Sequence, residues 1–188
     1  MVLELKGVTH RYGTHIVLQN VDLTLAPGER IAIMGPSGRG KTTLLRIALG
    51  LMEPTEGAVR NTFARTGAVF QEPRLLPWRT ALENVNLVLA DDKTTLEQAK
   101  YYLELVGLGD ALGKYPRELS GGMQQRTALA RALAVEGDFL VLDEPFKALD
   151  EALHCQILEL VGKTKAAVLL VTHDAEEAER LGCRVVQI

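Results

Sequence analysis

The sequence predicts an α/β fold with a mostly parallel central sheet, and three observations carry that prediction. Short apolar runs recur at residues 31–34, 139–142 and 167–171, the pattern of strands buried on both faces. Runs with helical periodicity follow the strand-like ones, as at residues 44–49 and along Leu153, Ile157, Leu160 and Val161. The first strand and helix are joined by a glycine-rich turn ending in Gly40-Lys41-Thr42.

Taken in order, residues 2–9 and 17–25 read as two antiparallel strands, the second alternating Val21, Leu23 and Leu25 with Asp22 and Thr24. Arg11-Tyr12-Gly13 is expected in the turn between them. Tyr12 reads as a core or turn residue, or as a platform for an adenine ring. Ala26-Pro27-Gly28-Glu29 is a tight turn into the next strand.

Gly35-Pro36-Ser37-Gly38-Arg39-Gly40-Lys41-Thr42-Thr43 has the P-loop spacing of a glycine, four residues, Gly-Lys and a hydroxyl residue. Polyphosphate oxygens need many donors at short range. Glycines let the backbone approach closely, and successive N–H groups at a helix start form an anion nest. Lys41 is expected to bridge the terminal phosphates of a nucleotide, and the Thr42 hydroxyl to ligate Mg2+. Gly50 is placed to stop the helix.

A short strand at Ala58-Val59 and another at residues 66–70 follow. Gln71 stands at the carboxyl end of the latter, where open α/β sheets bind ligands. It reads as a functional residue or as a solvated loop glutamine. Residues 73–118 change character: Pro73 and Pro77 break the chain, and two helices are expected behind capping boxes, Thr80 with Glu83 and Thr94 with Glu97. Leu96, Ala99, Leu103 and Val106 share one face of the second, which Gly107 can end. This reads as a small helical insertion.

Ser120 suits the N-cap of the next helix. Gly121 and Gly122 in its first turn cost up to about 1 kcal/mol each relative to alanine. Either the helix start is flexible, or bare N–H groups are being presented to an anion. Asp143 and Glu144 end the apolar run 139–142. Asp143 is suited to hold magnesium beside the P-loop and Glu144 to accept a proton from attacking water. Asp150 can cap the following helix. His173 closes the run 167–172, level with these sites, while His10, His15 and His154 lack such a setting. A short helix at residues 175–181 and a last strand at 183–188 complete the chain.

The chain has 188 residues, 47% hydrophobic and 24% charged, as expected for one globular domain. A net charge of −3 gives no general attraction for nucleic acid, so no nucleic-acid partner is expected. Cys155 and Cys183 have no metal or framework spacing and read as reduced residues of a cytosolic protein. Met1 leads directly into a strand-like pattern, so no signal peptide is expected, and no apolar run is long enough to span a bilayer.

Together these residues resemble the ATP-binding subunit of an ABC transporter, in order and over essentially the whole chain. Gly35 to Thr43 resembles the Walker A loop, Tyr12 the aromatic A-loop residue and Gln71 the Q-loop glutamine. Leu119 to Met123 resembles the LSGG signature, Phe139 to Asp143 Walker B with catalytic Glu144 after it, Ala148-Leu149-Asp150 the D-loop and His173 the switch histidine. Met123 stands where the family often has Gln, and Lys147 where a small residue is frequent. The stretch Phe70-Gln71-Glu72-Pro73-Arg74-Leu75-Leu76-Pro77-Trp78 resembles importer subunits of the nitrate, sulfonate and taurine class.

The resemblance implies a P-loop NTPase (RecA-like) core with an N-terminal antiparallel β subdomain, made of residues 1–72 and 119–188, and a helical subdomain at 73–118. It implies ATP and Mg2+ as cofactors, with Thr42, Gln71 and Asp143 toward the metal. Two copies would stack head to tail, with Ser120, Gly121, Gly122 and Asp150 completing the partner's site. The expected partners are a transmembrane permease, docked through the Gln71 to Trp78 region and the helical subdomain, and an extracytoplasmic solute-binding protein. Trp78 reads as interfacial or as buried. The expected place is the cytoplasmic face of the membrane. The rival functions are a non-transport ABC-type ATPase and an adaptor that binds ATP without hydrolysing it. The absence of heptad-patterned arms and of tandem copies weighs against the first, and Glu144 with His173 against the second.

Overall fold

The computed structural model describes residues 1–89, 93–147 and 149–188. Ala90, Asp91 and Asp92 of the segment 73–118, and Ala148 of the Ala148-Leu149-Asp150 stretch, lie outside the described residues.

Two sheets stack around a shared core. The first is antiparallel, in the order β2-β1-β4, formed by β1 (Leu3–Tyr12), β2 (His15–Leu25) and β4 (Glu56–Asn61). The second has the order β5-β6-β7-β3-β8, all parallel: β5 (Thr66–Val69), β6 (Phe139–Asp143), β7 (Ala167–Val171), β3 (Arg30–Met34) and β8 (Arg184–Gln187). The parallel sheet expected from the apolar runs is therefore present, and every residue of β6 and β7 is buried.

Period-two geometry explains why those strands carry no polar positions before Asp143 at the end of β6. Phe139, Val141, Leu169 and Val171 face the layer made by the antiparallel sheet and α1 (Lys41–Ala48), with Leu3, Leu5, Ile31 and Leu45. Leu140, Leu142, Val168 and Leu170 face the opposite layer. There they meet Leu129 and Ala130 of α4 (Gly121–Ala134) and Ile157 and Val161 of α5 (Glu151–Lys163). Both faces are dry, so alternation of hydrophobicity disappears from the sequence.

The segment after Gln71 contributes α2 (Ala81–Asn86) and α3 (Leu96–Leu105), which pack on each other and on α4. Their Val85, Ala99 and Leu103 are fully buried in the same apolar cluster as the sheet's outer face. Thr80 and Glu83 form the expected capping box, with Glu83 N–H donating to Thr80 Oγ1 at 3.3 Å and Thr80 N–H to Glu83 Oε2 at 2.7 Å. The second box is corrected: α3 starts one residue later, with Thr95 as N-cap, and the Thr95 hydroxyl donates to Asn86 Oδ1 at 2.6 Å. The Thr95 side chain is turned to Asn86 and makes no cap bond to the N–H groups of its own helix.

Two strand boundaries also differ from expectation. Arg11 and Tyr12 are not in the turn but end β1, paired with Ile16 and His15. The Ala58-Val59 strand extends to six residues because it pairs with β1 along its length, exposed side chains and all. Backbone pairing to an existing edge needs no apolar pattern.

Last is α6 (Ala175–Arg180), before β8. Among the described residues no helix is long and apolar enough to cross a membrane.

Candidate active site

Four parallel strands deliver their carboxyl ends to one edge of the sheet, where open α/β sheets bind ligands. At the end of β3 the chain turns through the glycine-rich loop into α1. Gly40, the residue before the helix, has φ 83°, and a Cβ there would lie 2.5 Å from the Val17 carbonyl oxygen. Only glycine fits, because the loop is packed against β2. Among the described residues no side chain caps α1. Its first N–H groups therefore keep their hydrogen-bonding capacity for an anion. Lys41 is 6% exposed, and its Nζ donates to the carbonyls of Gly35 (2.7 Å) and Pro36 (2.8 Å).

The end of β6 supplies the acids. Asp143 is fully buried, and Thr42 Oγ1 donates to its Oδ2 at 2.7 Å. Burial raises its pKa, the Thr42 bond opposing and the Glu144 charge adding to the rise. Among the described residues Asp143 Oδ1 has no hydrogen-bond partner, although it is buried. A carboxylate left half unsatisfied beside a hydroxyl and an anion nest fits a divalent cation, which takes oxygen ligands of this kind. Thr42 and Asp143 would hold it.

Glu144 has φ 49°, the left-handed region, uncommon for a side chain of this type. Its N–H donates to the Val171 carbonyl at 3.0 Å, which locks the turn and aims the carboxylate out of the strand edge. Oε1 lies 3.0 Å from His173 Nε2, and Oε2 lies 3.6 Å from Lys147 Nζ. Such conformations cost about 1–3 kcal/mol and cluster where chemistry needs a side chain placed.

His173 follows β7. The preceding Thr172 accepts from Asp174 N–H at 3.0 Å and donates to Glu177, whose Oε1 lies 3.1 Å from His154 Nε2. Burial raises the Glu177 pKa, and the Thr172 bond and His154 oppose the rise. His154, expected to be idle, thus sits behind the turn that presents His173. Its sequence neighbourhood offers no sign of this, because the contact spans α5 and α6.

These elements enclose a cleft of about 670 Å³. Tyr12, Ser37, Gly38, Gly40, Lys41, Thr42, Thr43, Gln71, Glu144 and His173 line it, so most of the sequence-predicted residues come together. Tyr12 is 49% exposed and its hydroxyl lies 3.3 Å from Thr43 Oγ1, which places it as a wall of the cleft rather than in the core. Val17, Gln125 and Lys147 also line the cleft, though sequence reasoning assigned them no role. Gln125 Nε2 donates to the Phe70 carbonyl at 3.0 Å, beside Gln71. The signal for Gln125 lay in the same helix opening as Ser120, and that for Lys147 in its departure from a small residue.

Gly35, Pro36, Arg39, Ser120, Gly121, Gly122 and Asp150 do not line the cleft. Arg39 faces a separate groove with Ile16 and Ile188. Ser120 caps α4, accepting from Met123 N–H at 3.3 Å, and Asp150 caps α5, accepting from Leu153 N–H at 3.0 Å. Ser120 and Gly121 are nevertheless exposed, so the α4 start is presented to solvent. Trp78 is 69% exposed, which excludes its core reading. Arg131 ties down the loop that carries it, donating to the Pro73 (2.9 Å) and Arg74 (3.0 Å) carbonyls.

The arrangement can seat a polyphosphate on the nest, hold a cation at its side and point a carboxylate at its far end. The family profile described as "ABC transporter" matches residues 18–147. An aliphatic sulfonates import ATP-binding protein (SsuB 1) of Rhodococcus jostii (strain RHA1) is 47% identical, over 98% of this chain and 78% of that protein. A protein of the same description (SsuB 2) from Frankia alni (strain DSM 45986 / CECT 9034 / ACN14a) is 47% identical, over 96% of this chain and 74% of its own. A solved dimeric ATP-binding cassette in a post-hydrolysis state, bound to ADP and Pi, superposes with a TM-score of 0.87. It is 36% identical and covers 99% of this chain and 94% of that one.

Proposed function

This chain belongs to the ABC transporter family, and on that premise we propose how its cleft and surfaces drive import of a small solute, an aliphatic sulfonate by likeness to its relatives. It is the ATP-binding and ATP-hydrolysing subunit of an importer, using ATP with Mg2+, and works as a dimer with a permease. The single observation that carries the site reading is the strained Glu144 aimed beside the P-loop, within 3.0 Å of His173.

The N–H groups of residues 38–43 and the Lys41 ammonium would bind the phosphates. Lys41 exchanges its two loop carbonyls for phosphate oxygens, a stronger charge-assisted pairing. Bound magnesium would neutralise charge on the β- and γ-phosphate oxygens. Thr42 and Asp143 would hold it, with Gln71, just after β5, as a further ligand. Glu144 accepts a proton from a water attacking the γ-phosphorus in line, and His173 holds Glu144 in place and faces the transferring group. Tyr12 offers its ring to the adenine.

Ser120, Gly121 and Gly122 lie outside the cleft of their own chain, and their exposed helix start suits the phosphate bound to a second copy. Two chains in head-to-tail contact would then share two ATP molecules, and Asp150 would lie at the seam. Hydrolysis removes the bridging phosphate and releases the contact.

Residues 73–118 act as a helical subdomain against a core of 1–72 and 119–188. The loop from Gln71 to Trp78 is the permease-facing surface, because it starts at the cleft, is held by Arg131 at the Pro73 and Arg74 carbonyls, and ends on an exposed tryptophan. A solute-binding protein outside the membrane would deliver cargo, and this subunit would sit on the cytoplasmic face. Copurification with a multispanning membrane protein, then sulfonate-stimulated phosphate release from the reconstituted complex, tests the reading. A complex that hydrolyses ATP but responds to no sulfonate overturns the cargo assignment alone.

A further inference from the structure

The cleft holds two lysines in different states. Lys41 is buried and fastened to two carbonyls. The Lys147 side chain is 82% exposed, lines the cleft, and has Glu144 Oε2 as its ionic neighbour at 3.6 Å. A chain of contacts gives the cleft a direction. It runs from Tyr12 to Thr43 (3.3 Å), on through the adjacent Thr42 to Asp143 (2.7 Å), and ends at Glu144 with His173 (3.0 Å). Lys147 is at the Glu144 end, furthest from Tyr12 along that path.

We infer that Lys147 is a specificity-determining ligand for the third phosphate, making this subunit favour ATP over ADP more strongly than Lys41 and the loop alone provide.

Two charges of one sign explain the need. Asp143 and Glu144 sit side by side at the strand end, and a third phosphate entering there meets both. A cation at contact distance offsets like-charge repulsion, and an ammonium that is itself 82% exposed and stands 3.6 Å from its carboxylate is held weakly enough to be recruited. Its four-carbon stem and position at the mouth let it move without disturbing the core. With ADP the far end receives no phosphate, and Lys147 stays with Glu144. The charge thus acts on one nucleotide and not the other, which is how discrimination arises. This inference rests on the reading of the cleft as an ATP site.

The test is calorimetric binding of AMP-PNP and of ADP, with Mg2+, to wild type, Lys147→Met and Lys147→Arg, with light scattering confirming monomer. Lys147→Met keeps the length and loses the charge. It is expected to weaken AMP-PNP about three- to tenfold while ADP stays within about twofold, and Lys147→Arg to restore the preference. An unchanged AMP-PNP to ADP ratio in Lys147→Met, with both nucleotides bound, overturns this inference and leaves the ATP site standing. Failure of wild type to bind either nucleotide overturns the ATP site and the inference with it.

Discussion

His173 Nε2 and Glu144 Oε1, contributed by the ends of two adjacent parallel strands, lie 3.0 Å apart at the mouth of the cleft. The contact exists because Asp143 pairs with Val171 in the sheet register, so the residues that follow each strand emerge side by side. The proposed base and the group proposed to orient it are thereby set by backbone hydrogen bonding rather than by flexible loops.

Replacing Glu144 by Gln keeps the shape and the His173 contact but removes the proton acceptor. Turnover is expected to fall about 10²–10⁴-fold while ATP affinity changes little. Phosphate release beside equilibrium nucleotide binding measures the two separately. Rapid hydrolysis by this variant would remove Glu144 as the base.

Lys41→Ala deletes a cation whose hydrogen-bond acceptors among the described residues are the loop carbonyls of Gly35 and Pro36. The fold is expected to survive, as read by circular dichroism. ATP affinity is expected to drop about ten- to a hundredfold, the worth of a charge-assisted bond. Unchanged affinity counts against the P-loop assignment.

Asp143 illustrates a conflict between stability and chemistry. A fully buried carboxylate with an oxygen unsatisfied among the described residues costs the fold stability. Asp143→Asn removes the charge and keeps an acceptor for Thr42. Its melting temperature is expected to rise by about 2–4 °C and its Mg2+-dependent hydrolysis to collapse. A lower melting temperature would show that the carboxylate contributes to the fold itself.

Burial pushes the Cys183 thiol up to about 11 from 9.0. Because the thiolate is the reactive form, the raised pKa keeps Cys183 mostly protonated at pH 8. Its alkylation by iodoacetamide is expected to be about a hundredfold slower than an unperturbed thiol, and to rise about tenfold per pH unit up to pH 11. Peptide mass spectrometry after timed labelling reads the rate.

Much of this was legible beforehand because it was local. The P-loop, the Asp143-Glu144 pair and the apolar strands are each written in consecutive residues, and the structure gathers them at one sheet edge. What sequence patterns misplaced was decided by distant partners. Thr95 rather than Thr94 heads α3, and its hydroxyl goes to Asn86, nine residues away. Tyr12 joins β1 because His15 pairs with it across the hairpin, and Trp78 faces solvent although tryptophan suits a core equally. Gln125 and His154 escaped notice for the same reason, since one reaches Phe70 and the other Glu177 across the fold.

The central claim is that two chains close on shared nucleotide, each lending its Ser120-Gly121-Gly122 turn to the other's cleft. Light scattering of Glu144→Gln with and without ATP, alone and combined with Ser120→Arg, tests it most directly. The account predicts that ATP doubles the mass of the single variant and leaves the double variant at the mass of one chain with ATP still bound. A double variant that pairs as readily with ATP as the single one would contradict it.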